Sequence, residues 1–122
     1  MSDDYYDAVS LQLILDPAIF PTKSGHIYDT QTLENLIVEA NNSALVIAQQ
    51  TGRFIAAKVL CPKTREETSI QALRKAISEG APAIKRMILQ CCDDNPMHPD
   101  VIELRERERA KSNEASASSP RM

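Results

Sequence analysis

No apolar run in this 122-residue chain approaches the ~18 residues that a membrane-crossing helix needs. The formal net charge is −3, and no block of lysine and arginine of the kind that grips nucleic acid is present. Cysteine is scarce and odd in number: Cys61, Cys91 and Cys92. Two of the three are adjacent, and no Cys-x₂-Cys spacing occurs, so neither a disulfide scaffold nor an ordinary zinc finger is indicated. The acidic opening Met1-Ser2-Asp3-Asp4 is unlike a signal peptide. These absences lead to the expectation of a soluble protein acting in a reducing cytosol, long enough for one small domain and a tail.

Proline and glycine punctuate the first part of the chain. Asp16-Pro17, Pro21 and Ser24-Gly25 favour loops and short strands over helix. Ile19-Phe20 and His26-Ile27-Tyr28 flank a turn centred on Thr22 to Gly25, the pattern of a small hairpin. Asp29 or Thr30 can then cap a helix whose apolar face is Leu33, Leu36, Ile37 and Ala40. The stretch from Asn41 to Leu60 is ambiguous. Ser43 can cap a second helix that stops at Gly52, or the same residues can form two strands around Gln50-Thr51-Gly52. The first reading is preferred, with a strand near Phe54–Val59.

Thr68 or Ser69 opens the next helix, with Ile70, Leu73, Ala76 and Ile77 on one side and Gly80 past its end. Pro82 suits the first turn of another helix, striped by Ile84, Met87, Ile88 and Cys91 and broken by Asn95-Pro96. After Pro99, the alternating charges from Glu103 to Arg109 read as a solvated helix. The alanine, serine and proline content from Ser112 onward reads as a disordered tail or linker. The expected organisation is therefore a domain over residues 1–80, with an insertion at 38–60. A helical extension over 81–111 and a tail over 112–122 follow it.

Five elements, in order, carry a family resemblance. Tyr5-Tyr6-Asp7-Ala8-Val9-Ser10 through Asp16-Pro17 resembles the opening loop of a U-box. Ile19-Phe20-Pro21 through Ser24-Gly25-His26-Ile27-Tyr28-Asp29 resembles its hairpin. Leu33-Glu34-Asn35-Leu36-Ile37 is similar to its helix, Cys61-Pro62-Lys63-Thr64 to its second loop, and Ala72-Leu73-Arg74-Lys75-Ala76-Ile77 to its closing helix. The departures are Ala8 for the first-loop proline, Leu36 for the helix tryptophan, the long 38–60 segment, and no evident strand between Thr64 and the last helix. U-box-like proteins also occur among effectors that bacteria inject into host cells, where the host cytosol would be the compartment.

The resemblance implies an α+β, zinc-free, U-box/RING-like fold of two loops, a short hairpin and a central helix, with extra C-terminal helices. It implies a ubiquitin-protein ligase that forms no covalent intermediate and needs no cofactor. Its partners would be a ubiquitin-conjugating enzyme, ubiquitin and an unknown substrate protein, with no nucleic acid and no membrane. Val9, Leu36 and Pro62 would contact the conjugating enzyme. Arg65 would be the linchpin whose planar, multi-donor guanidinium bridges that enzyme and its ubiquitin; the plainer reading is a solvated loop arginine. Asp16, His26, Tyr28 and Cys61 would be structural: Asp16 as a loop-capping acceptor, His26 as a buried ring tying two loops, and Cys61 as a small apolar group. Nothing near Cys61 in sequence lowers its pKa for a transfer role. No metal ligand set is assigned, because Cys61, Cys91, Cys92 and His98 lack zinc spacing. Two rivals stand beside this reading: a degenerate U-box that only binds, and an unrelated mixed α/β interaction domain.

Overall fold

The computed structural model describes Asp3 to Ala117. Among the described residues, a 3₁₀ turn at Asp3–Tyr5 precedes two two-stranded antiparallel hairpins and four α-helices: β1 (Pro17–Ile19), β2 (Ile27–Asp29), α1 (Thr30–Thr51), β3 (Lys58–Leu60), β4 (Glu67–Ser69), α2 (Ile70–Glu79), α3 (Pro82–Asp94) and α4 (Pro99–Ala117). Among the described residues, no helix is long and apolar enough to cross a membrane.

The first hairpin forms where the turn residues direct it. Pro17 pairs with Asp29 and Ile19 with Ile27, and Phe20 N–H donates to the His26 carbonyl at 2.8 Å to close the turn. The chain leaves β2 straight into α1. Asp29 is extended (φ −71°, ψ 141°), and its carboxylate accepts from Gln31 N–H at 3.3 Å, capping a helix that would otherwise begin with unpaired donors.

From there α1 runs 22 residues without a break. The separate helix opened at Ser43 is therefore not formed, nor are two strands. Asn41-Asn42-Ser43 have cap-forming side chains, but no glycine or proline interrupts the ladder there. Residues of middling helix propensity continue a helix that is already nucleated. The stop is at Gly52, left-handed at φ 71°, whose N–H donates to the Ala48 carbonyl. The strand expected near Phe54–Val59 is shorter and later, at Lys58–Leu60. Its partner β4, Glu67–Ser69, lies where no strand was expected. Ser69 then caps α2 through a bond from Ala72 N–H.

Two hydrophobic cores hold these elements together. Ala18, Phe20, Tyr28, Leu33, Ile37, Val59, Cys61 and Leu73 form the first, joining both hairpins to one face of α1 and α2. The Phe20 ring meets Tyr28 edge-on at 5.9 Å between centroids. The second core joins Leu13 and Ile14, from the segment before β1, to Ile88 and Cys92 of α3 and Val101 and Leu104 of α4. The buried face of α3 is thus Ile88 and Cys92 with half-buried Ile84, whereas Met87 is exposed. The stripe expected through Met87 and Cys91 is rotated by one position, because Leu13 and Ile14 approach α3 from that side.

Nor is α4 a wholly solvated helix. Val101 and Leu104 are fully buried, and the helix continues through Ser112 to Ala117, where composition had indicated a tail. The rest of that tail, residues 118–122, lies outside the described residues. Polar bonds reinforce the second core: Gln12 donates to Glu103 at 2.7 Å, Arg107 to the Leu13 carbonyl at 2.6 Å, and the Tyr6 hydroxyl to Asp100.

Candidate functional site: two equivalent turns beside one helix

Two loops flank α1, and they share one backbone design. In the first, Asp7 N–H donates to the Gln12 carbonyl at 2.9 Å and Leu11 N–H to the Asp7 carbonyl at 2.9 Å. In the second, Cys61 N–H donates to the Glu66 carbonyl at 2.9 Å and Arg65 N–H to the Cys61 carbonyl at 2.7 Å. Leu11 (φ 62°) and Arg65 (φ 65°) are the only left-handed non-glycine residues among those described, and they occupy the same position in their turns. Even the flanking pairs agree, since Tyr6 bridges Leu13 as Leu60 pairs with Glu67.

At the first residue of each turn stands a buried side chain able to accept hydrogen bonds. Asp7 is 1% exposed; its Oδ1 accepts from Val9 N–H at 2.8 Å and Ser10 N–H at 3.0 Å, and its Oδ2 accepts from Asp29 N–H at 2.8 Å. One carboxylate thereby fastens the first loop to the start of α1, and Asp29 returns the link by accepting from Leu15 N–H at 3.0 Å. In the second turn the acceptor is the Cys61 sulfur, with Tyr28 Oη 3.1 Å away. Burial pushes the Cys61 thiol pKa up. Hydrogen bonding from the Thr64 hydroxyl, whose one proton is shared with Glu66, from Tyr28, and from the Thr64 and Lys63 N–H groups outweighs that and leaves it below the ordinary value. The Tyr28 hydroxyl moves the opposite way, well above its usual range, first through burial and then through its bond to Cys61. A proton held on Tyr28 and shared toward sulfur is consistent with both shifts.

Cys61 is thus no plain apolar filler. The expectation that nothing near Cys61 lowers its pKa is corrected by its neighbours Thr64, Tyr28 and Lys63. Its complete burial still leaves the sulfur without access for a transfer reaction. Glu66 extends the same network outward, accepting from the Thr64 hydroxyl at 2.9 Å and Ser24 N–H at 3.4 Å, so the second loop is tied to the tip of the first hairpin. The bonds from Ser24 and Thr64 hold its carboxyl below the usual glutamate value.

The remaining expected residues are distributed as follows. Asp16 accepts from the Thr30 hydroxyl at 3.4 Å and faces Lys85 at 3.8 Å, but the carboxylate that closes the first loop is Asp7. His26 is half-buried and works through its carbonyl; among the described residues no bond from its ring ties two loops, so that role is not met. Val9 is 52% exposed at the tip of the first loop, and Pro62 and Arg65 are exposed on the second. Leu36 is half-buried on α1 between them in sequence, packing against the first core with its outer side lining a cleft shared with Leu60. Ser10 and Gln12 border another hollow with Gln31, Thr32 and Asn35, so the first loop abuts the first turns of α1. Cys61 belongs to one core and Cys92 to the other, and among the described residues no three His, Cys, Asp or Glu side chains converge as metal ligands.

Sequence reasoning missed Asp7, Glu66 and the equivalence of the turns. A signal was present: Asp7-Ala8-Val9-Ser10 and Cys61-Pro62-Lys63-Thr64 both read as a buried acceptor, two residues, then a hydroxyl. No protein-family model, curated protein or solved structure matches this chain.

Proposed function

We propose that this domain is a zinc-free, U-box-like ubiquitin ligase module that docks a ubiquitin-charged conjugating enzyme and orients its thioester for attack by a lysine. The observation that supports this most is the pair of equivalent turns beside one helix, each starting on a buried acceptor side chain where a metal-bound cross-brace would otherwise be needed. Such turns hold exposed tips rigidly, and rigid tips are what a shallow docking surface requires. Val9 and Pro62 supply apolar tips, and Leu36 the floor.

A ligase of this type has no nucleophile; its contribution is orientation, worth several kcal/mol when reacting atoms are held near attack distance. Arg65 suits that task. A left-handed arginine is strained by about 1 kcal/mol or more, a cost that glycine would avoid, and residues kept in such conformations concentrate at functional sites. With its N–H bound to Cys61, its guanidinium projects from a fixed point and is free to bridge two partners. The site belongs to a cytosolic setting, where charged conjugating enzymes are found. The narrower alternative, a module that binds without promoting transfer, rests on Leu36 standing where the family carries tryptophan.

Titrating labelled domain with a panel of conjugating enzymes tests the site. Amide shifts should concentrate in residues 8–12, 31–36 and 63–66. Val9→Arg should abolish binding, a loss of about 2 kcal/mol or more, while leaving the melting temperature nearly unchanged. Shifts confined to α3 and α4, or equal loss of stability in Val9→Arg, would rule the site out.

A further inference from the structure

A cleft of about 350 Å³ lies between the middle of α1, from Leu36 to Ile47, and the segment from Ile55 to Leu60. Ala40, Ala44, Ile47, Ile55 and Leu60 wall it, and Glu39 stands at its side. Immediately before Ile55 comes Phe54, 91% exposed, and before that Arg53. A large aromatic side chain held in water beside an open apolar cleft is a partner surface rather than ordinary scatter.

We propose that this face joins two copies of the chain, with Phe54 of each entering the cleft of the other about a twofold axis. Reciprocity is built in: Phe54 is the chain neighbour of a cleft wall, so a single axis can place both rings in both clefts. The charges are also self-complementary. Between Val38 and Ala57 the only charged residues are Glu39 and Arg53, and neither has an ion pair with another described residue. Arg53, beside the inserted ring, meets Glu39, beside the receiving cleft, so one axis makes two such pairs. Two buried phenylalanines, at about 200 Å² each, with an equal area of the walls they cover come to roughly 800 Å² in total, below the range of stable specific interfaces. The dimer is therefore weak.

Leu36 lines the same cleft at the far end, about 16 Å of helix from Ile47, so a ring seated near Ala44 and Ile47 leaves it open. The inference goes beyond the ligase reading and does not depend on it. Joined in this way, two chains would present two loop surfaces to one substrate, and a second weak contact on the same target is strengthened by effective concentration.

Sedimentation equilibrium of the intact chain tests this without any conjugating enzyme. The mass should rise from one chain to two, with a dissociation constant on the order of 10 µM. Phe54→Ser should weaken association by about a hundredfold or more, since the anchor is lost twice in a symmetric pair, while the melt of the dilute protein stays unchanged. Glu39→Arg and Arg53→Glu should each weaken it by about tenfold, and together restore it to within about threefold. A one-chain mass up to about 100 µM overturns the proposal. So does a dimer indifferent to Phe54→Ser, a charge swap that restores nothing, or protection of Phe54 only when a different protein is added.

Discussion

Replacing Asp7 removes the acceptor that gathers the first turn, and the structure allows the cost to be worked out. Asp7→Ala strands three N–H groups, those of Val9, Ser10 and Asp29, now bonded at 2.8 to 3.0 Å. A hydrogen bond to a charged acceptor contributes about 1.5–3 kcal/mol, and a donor left unpaired away from water costs about 1–3. The loop donors of Val9 and Ser10 can recover some water, whereas Asp29 N–H lies at the junction of β2 and α1. The sum is roughly 3–5 kcal/mol, a large part of the ~5–15 kcal/mol that stabilises a domain of this size. Asp7→Asn keeps one oxygen for Val9 and Ser10 but turns an amide toward Asp29 N–H, and should cost about 2 kcal/mol. Asp7→Cys copies the second turn and should fall between wild type and alanine. Urea unfolding followed by circular dichroism, with a constant denaturant slope, reads these differences directly. A loss below about 1 kcal/mol in Asp7→Ala would refute the idea that buried acceptors organise these loops.

Two further outcomes follow from the same network and its support. Glu66 has a depressed folded pKa, so its contribution is present above the ordinary glutamate value of about 4.3 and is lost as pH falls through the lower folded value. Glu66→Gln should flatten that part of the acid-unfolding curve, and an unchanged acid limb counts against the link to Ser24 and Thr64. Leu104→Ala opens a cavity in the second core and should cost about 2–5 kcal/mol; because Leu13 and Ile14 share that core, the first loop should unfold in the same transition as α4. Amides of residues 7–12 that keep native exchange protection in this variant would contradict that coupling.

The sequence made the first hairpin, the start of α1 and the second loop legible because each is governed by local turn chemistry. Pro17, Gly25, Asp29 and Cys61-Pro62 act on their immediate neighbours. What escaped was set at a distance. Asn41-Asn42-Ser43 resemble a helix start, and only the absence of any breaker between them and Gly52 decides for continuity. β4 is three residues long and pairs with β3 across the second turn, too short for alternation to show. The face of α3 was misjudged because Leu13 and Ile14, some seventy residues earlier, determine which side is covered. Asp7 as organiser was hidden likewise, since its third bond reaches Asp29. His26 resembles a loop tie in sequence, but it faces a turn already closed by its own carbonyl.

The central claim is that the two turns present a surface that promotes ubiquitin transfer. The most direct measurement is single-turnover discharge of ubiquitin from charged conjugating enzymes to free lysine, comparing wild type with Arg65→Ala and Arg65→Gly. At least one enzyme of the panel should be accelerated by the wild-type domain, and both variants should lose about tenfold or more of that rate, roughly 1.4 kcal/mol of barrier. Binding of the uncharged enzyme should stay within about threefold. Arg65→Gly should also be at least as stable as wild type, because glycine relieves the left-handed strain at φ 65°. No acceleration with any enzyme in the panel contradicts the ligase account and leaves a binding module; acceleration indifferent to both substitutions removes Arg65 from the mechanism.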